Sequence, residues 1–186
     1  MGDGMGAATE QWSTREIYAK YGGPVRVFYD PPPDTFSGAA GNKLGQITDD
    51  TSQMYYLAQT IIDTDGNLTY EAWVECVLRW AEESPHRANM GPTTRLVVEA
   101  LQKGEDPYKV GVIGNTTRQN CKMGSTNGSA MRVAPAGLIN PGNIEGACQD
   151  ALTTCLPSHN TQIGIASACA IAAGVAEALT PTADVF

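Results

Sequence analysis

Basic residues are scarce in this chain: 12 Lys and Arg stand against 20 Asp and Glu in 186 residues, a formal charge of −8. Binding a nucleic-acid backbone needs cations that neutralise phosphates, so no nucleic-acid partner is expected. The acidity reads instead as a source of solubility. The five cysteines (Cys76, Cys121, Cys148, Cys155, Cys169) include no C-x-x-C pair and leave an odd one over. That argues against a zinc knuckle and for reduced thiols in a cytoplasmic protein. No charged segment leads into an apolar one at the N-terminus, so no signal peptide is expected. The longest small-apolar run, 163–175, contains Ser167 and is too short and alanine-rich to span a bilayer, which leaves no membrane partner. Strand-length alternation is also missing, apart from a brief Val25, Val27, Tyr29.

What the chain does have is apolar residues at helical spacing. Hydrophobic residues make up 42% of it, a globular composition that suits one domain over 1–186. Ser13-Thr14-Arg15-Glu16 is a capping box, and Gly22-Gly23 ends the short helix it opens. The stretch 24–45, with Pro31-Pro32-Pro33, forbids regular structure and predicts a long loop. Met54, Leu57, Ala58, Ile61 and Ile62 form one helix face. Thr69 caps the next helix, whose stripe of Trp73, Val77, Trp80 and Ala81 reads as core rather than as an adenine platform. Pro92-Thr93 opens a helix through Val97, Val98 and Leu101, closed by Gly104. A second long loop is expected over 111–129, then helices over 128–138 (kinked or ended by Pro135), from Pro141, and over 161–179. The fold reads as all-α. The segment Asp63-Thr64-Asp65-Gly66-Asn67 imitates a calcium loop, but aligning Gly66 puts Ile61 and Ala72 where carboxylates must coordinate, so it reads as a turn.

The most informative stretch is Gly45-Gln46-Ile47-Thr48-Asp49-Asp50-Thr51-Ser52. Two adjacent carboxylates sit among hydroxyls where an amphipathic helix begins. Mg²⁺ takes one or two carboxylates plus water and substrate oxygens, and Thr48, Asp49 and Asp50 offer three such oxygens. The same residues also suit a helix start, with Thr48 as N-cap and acids in the first turn. Both readings stay open on the octapeptide alone.

Four segments in order carry a resemblance. Gly2-Asp3-Gly4-Met5-Gly6-Ala7-Ala8-Thr9-Glu10 resembles the Gly-Asp-x-x-Gly-x-x-x-Glu opening of the ADP-ribosylglycohydrolase family. Gln46-Ile47-Thr48-Asp49-Asp50-Thr51 resembles that family's first metal motif. Asn127-Gly128-Ser129-Ala130-Met131-Arg132 is similar to its Asn-Gly-x-x-Met-Arg segment, and Ser158-His159-Asn160 to its Thr-His helix entry. Together they reach from Gly2 to about Leu179, close to the whole chain.

The resemblance implies a compact orthogonal all-α domain with long functional loops, of the dinitrogenase reductase-activating glycohydrolase type. It implies a metal-dependent hydrolase cleaving the glycosidic bond between ADP-ribose and a protein side chain or small molecule. Two clustered Mg²⁺ or Mn²⁺ ions are implied, with Thr48, Asp49 and Asp50 supplying part of the shell. Glu10 matches the family's glutamate near the metals, a candidate base or gate at the anomeric carbon, with Asp3 in support. Residues Asn127, Gly128, Ser129, Ala130 and Met131 match its phosphate-binding segment, and a Gly/Asn/Ser turn entering a helix offers N–H donors to anions without a basic patch. Arg132 either adds charge there or is a buried structural arginine. His159 is a candidate for contact with ribose or a water on the metal. Relative to the family's pattern the chain is expected to be truncated at both ends: the helix before the first motif and a second acidic cluster of the Asp-x-Asp-Asp-Thr kind have no counterpart. The two-metal site is thus incomplete, and a homo-oligomer or complementing second chain is a possible partner. The alternatives are a non-catalytic, crystallin-like ADP-ribose-binding relative and an N-ribosyl hydrolase acting on a nucleoside.

Overall fold

The structure, a computed structural model, describes residues 1–33, 41–112 and 124–184. Cys121 and parts of both expected long loops lie outside these residues. Among the described residues every regular element is a helix. In order they are α1 (Gly2–Gly6), a 3₁₀ turn (Ala7–Thr9), α2 (Thr14–Tyr21), α3 (Asp49–Asp63), α4 (Tyr70–Glu83), a 3₁₀ turn (Arg87–Asn89), α5 (Pro92–Gln102), α6 (Pro107–Val110), α7 (Ala134–Leu138), α8 (Ile144–Cys155) and α9 (Gln162–Ala178).

The helix starts follow local side-chain chemistry. Ser13 Oγ accepts from Glu16 N while the Glu16 carboxylate accepts from Ser13 N, the reciprocal pair of a capping box. Gly22, at φ 73°, ends α2 in the left-handed conformation that favours glycine. Thr69 Oγ1 accepts from Ala72 N at 3.1 Å to open α4. The residues between α3 and α4 form the expected turn, with Gly66 N donating back to Ile61 O at 2.8 Å.

The smallest of three apolar clusters among the described residues is Val97, Ala100 and Leu101 of α5 with Val110 of α6; the other two are larger. Leu57 and Ile61 of α3, Trp73, Cys76 and Val77 of α4, and Val98 of α5 form one, so the tryptophan stripe is core as its spacing predicts. The other is built from small residues: Val133 and Ala136, then Ala147, Ala151 and Cys155 of α8, then Ala168, Ala172 and Ala176 of α9. Small side chains let backbones approach, and a Cβ on Gly137 of α7 would stand 2.5 Å from Ala172 O. The other face of α9, with Ile163, Ala166, Ala170 and Gly174, is exposed. Among the described residues no helix is long and apolar enough to cross a membrane.

Buried polar side chains tie the helices together. Trp73 Nε1 donates to Thr154 O at 2.9 Å, and Trp80 Nε1 to Ser52 Oγ at 3.0 Å. Arg132 is wholly buried, which decides between its two readings in favour of the structural one. Its guanidinium donates to Gln53 Oε1, Thr154 O and Ser158 Oγ and lies 4.9 Å from the Trp73 ring. One planar fork thus ties α3, the end of α8 and the turn before α9 to α4.

Two expectations need correction. Pro135 neither kinks nor ends a helix over 128–138; it sits in the first turn of the shorter α7, where its missing N–H costs no intrahelical bond. The helix expected from Pro141 begins at Ile144, because Asn143 caps it by accepting from Gly146 N at 3.0 Å. The glycine-rich opening, on which the sequence carries no helical signal, forms α1.

Candidate active site

The site begins with two glycines and an aspartate. A Cβ on Gly4 would lie 2.7 Å from Gly45 O, so α1 packs backbone to backbone against the entry to α3. That approach delivers Asp3 to the first turn of α3. Its carboxylate accepts from Thr48 N at 2.9 Å, Thr51 N at 3.1 Å and Thr48 Oγ1 at 2.8 Å. Thr48 occupies the N-cap position, yet its side chain makes no capping bond; Asp3 caps the helix from 45 residues away. Burial alone would raise the Asp3 carboxyl, but the bonds from Thr51 and Thr48 outweigh it and hold it below its ordinary value. The Thr48 hydroxyl proton is placed between Asp3 Oδ1 at 2.8 Å and Asp50 Oδ2 at 3.2 Å, and the oxygen keeps its lone pairs for another partner.

Relieved of capping, Asp49 and Asp50 face a cavity of about 660 Å³ together with Asp3 and Glu10. Among the described residues no Lys, Arg or His lines it. Burial, then Asp50, then Glu10 and Asp3 push Asp49 up to about 7. Asp50 is raised by burial and by Asp3, and Glu10 by burial, Asp50 and Asp3. Three carboxyls that resist ionising beside the readily ionised Asp3 create a demand for positive charge or for hydrogen-bond donors. Among the described residues, however, no group of three or more His, Cys, Asp or Glu side chains is arranged to hold an ion.

The same cavity is lined by Thr126, Asn127, Gly128 and Met131, and by Gly91, Pro92, Thr93 and Thr94 at the start of α5. Gly91 gives α5 no side-chain cap, so its first-turn N–H groups keep the donor character that anions and carbonyls seek. Of the residues proposed from sequence, Thr48, Asp49, Asp50, Glu10, Asn127, Gly128 and Met131 therefore line one cavity. Ser129, Ala130 and His159 do not. Ser129 is buried with Oγ donating to Gly164 O at 3.0 Å. His159 is fully buried behind Gly128, where a Cβ would come 2.7 Å from the imidazole. Gly128 is thus required by the histidine's seat.

Sequence reasoning missed Gln11 and the α5 entry as lining residues. Gln11 holds φ 62°, a left-handed conformation uncommon outside glycine, immediately after Glu10. Gly91-Pro92 did carry a signal, since a glycine N-cap before proline marks a helix start without a side-chain cap.

A family model described as ADP-ribosylglycohydrolase matches residues 1–185. The chain belongs to the ADP-ribosylglycohydrolase family. It is 27% identical over 182 residues to the uncharacterised protein YegU of Escherichia coli K12, covering 96% of this chain and 51% of YegU. It is 30% identical over 176 residues to an uncharacterised protein of Archaeoglobus fulgidus, covering 95% of this chain and 52% of that protein. The chain spans about half the length of these relatives. The helical architecture accords with this ADP-ribosylglycohydrolase membership, and the membership supports glycohydrolase-type chemistry at family level.

Proposed function

We propose that this chain carries the acid-lined half of a metal-dependent ADP-ribosylglycohydrolase site, which hydrolyses the bond between ADP-ribose and a protein side chain or small molecule. The observation that carries the reading is the cavity that joins Glu10, Thr48, Asp49 and Asp50 to Asn127 and Gly128. Glycoside cleavage at ribose passes through an oxocarbenium-like transition state, which a carboxylate can stabilise while another group activates water. Burial, Asp50 and Asp3 raise the Glu10 carboxyl above its ordinary value, which makes its carboxylate the stronger base for a proton from that water. The donors at Asn127, Gly128 and the α5 entry suit the opposite, anionic end of the ligand.

Thr48, Asp49 and Asp50 fit a partial Mg²⁺ or Mn²⁺ shell, since Mg²⁺ commonly keeps several waters beside one or two carboxylates. When bound, a divalent cation would neutralise the acid cluster and act as a Lewis acid toward the ribose oxygens. We assign the remaining ligands to water, substrate or a second chain, with the exposed face of α9 around Ala166, Ala170 and Gly174 as the surface for such a chain. The test is release of free ADP-ribose from an ADP-ribosylated protein, with and without Mg²⁺. Metal-stimulated release lost in Asp49→Ala would support the reading; no release by any preparation that binds ADP-ribose would favour the non-catalytic alternative. That alternative draws on the lack of a closed cation cluster among the described residues. A nucleoside hydrolase would instead be inhibited by ribose as well as by ADP-ribose.

A further inference from the structure

The polar chain behind the cavity wall fixes the direction of its protons. Arginine can only donate, and Arg132 Nη2 donates to Ser158 Oγ at 2.7 Å. The other side-chain partner of Ser158 Oγ among the described residues is His159 Nδ1 at 2.9 Å. The serine proton therefore goes to Nδ1. Placing the histidine proton on Nδ1 instead would strand the Ser158 hydroxyl proton in the interior, where such groups are rarely left unmade. With Nδ1 accepting, a neutral imidazole carries its proton on Nε2. Burial, then Arg132, keep His159 neutral by holding its pKa down to about 3. Nε2–H then donates to Thr126 Oγ1 at 2.9 Å. Thr126 lines the cavity, and its side chain makes no other hydrogen bond among the described residues. Its proton is left for the cavity.

The geometry points to Thr126 as a one-way hydrogen-bond donor to the ligand, oriented by Arg132, Ser158 and His159, that selects a phosphate oxygen over a ligand hydroxyl. The choice of a diphosphate ligand rests on the function proposed above. A phosphate oxygen brings lone pairs and no proton, so it matches a group whose accepting side is already occupied by an imidazole N–H. The cavity's polarity turns the ligand the same way. Ligand hydroxyls find acceptors at Glu10, Asp49 and Asp50, where a diphosphate would meet like charge. Arg132, Ser158 and His159 are positioning residues; none of them lines the cavity.

Nitrogen-15 spectra of the labelled chain read the tautomer directly. The expected result is a bare Nδ1 and a protonated Nε2 on His159 throughout the neutral pH range. A protonated Nδ1 with bare Nε2 would make Thr126 the donor to the histidine and overturn the relay. Titration calorimetry with ADP-ribose, inorganic pyrophosphate and ribose then tests the selection. Thr126→Val should weaken ADP-ribose and pyrophosphate about tenfold, about 1.4 kcal/mol, and leave ribose unchanged. Thr126→Ser should restore both. If wild type binds ADP-ribose and Thr126→Val binds it equally, the selection is wrong while the proposed function stands. Wild type that binds neither ADP-ribose nor pyrophosphate would remove the proposed function and the phosphate assignment together; the tautomer measurement would still decide the relay.

Discussion

Removing the Asp3 carboxylate should uncap α3 from outside the helix. Asp3→Ala leaves Thr48 N and Thr51 N without their acceptor and releases the Thr48 hydroxyl. Loss of an ordinary N-cap costs about 0.5–2 kcal/mol, and bonds to an ionised group are worth about 1.5–3 kcal/mol each. Asp3 is half-buried and its charge also repels Glu10, Asp49 and Asp50, so the net falls toward the low end. We expect a loss of about 2 kcal/mol, or about 4–8 °C in melting temperature for a chain of this size. Asp3→Asn should cost less. Its amide oxygen can face the two backbone N–H groups while Thr48 Oγ1 turns to Asp50 Oδ2, already 3.2 Å away. The pH dependence has a definite sign. The Asp3 carboxyl is lowered in the fold, so its contribution is present above the ordinary value of 3.8 and is lost as pH falls through the folded value. The difference between wild type and Asp3→Ala should therefore close in acid. Circular-dichroism melts of the three proteins would test this; Asp3→Ala melting within about 1 °C of wild type at neutral pH would refute the capping role.

Asp49 has the opposite linkage. Its carboxyl is raised from 3.8 to about 7, so without metal the stability it contributes is fully present below 3.8 and is lost as pH rises through about 7. Melts without metal should fall over that range, Mg²⁺ should reverse the fall, and Asp49→Asn should flatten the profile; a flat wild-type profile would remove the charge-cluster account. Asp49→Ala and Asp50→Ala should each abolish divalent-ion binding with helix content preserved; unchanged Mg²⁺ heats in calorimetry would reject the metal assignment. Gly128→Val should displace the His159 ring, because even a Cβ would stand 2.7 Å from it; unchanged His159 nuclear magnetic resonance signals would count against that packing. Arg132→Lys should destabilise by about 2 kcal/mol or more, since one ammonium cannot span three separated acceptors; a denaturant midpoint equal to that of wild type would contradict it.

Local chemistry made much of the helical order readable. The Ser13–Glu16 box, the Thr69 cap, the Trp73–Val77–Trp80 stripe and the turn after α3 each depend on residues within a few positions of one another. Where two local signals competed, the reading slipped. Pro135 suits a helix end or a helix start, and Asn143 outranks Pro141 because its side-chain oxygen accepts from the Gly146 N–H, whereas proline has no side-chain acceptor to offer. The motifs also placed Glu10, Asp49 and Asp50 together before any geometry was known, since their linear pattern resembles a family arrangement.

The sequence by itself thus determined the helices, the acidity and the family, because periodicity, caps and motif order are properties of neighbours along the chain. Tertiary structure decided which side chains share a cavity and which way their protons run. Asp3 caps a helix 45 residues distant, Arg132 reaches Gln53 across 79 positions, and Thr126 meets His159 across 33. Hydrogen bonds act over about 3 Å of space whatever the separation along the chain. A threonine with no pattern around it can therefore become an oriented donor only once packing has brought a buried arginine, serine and histidine behind it.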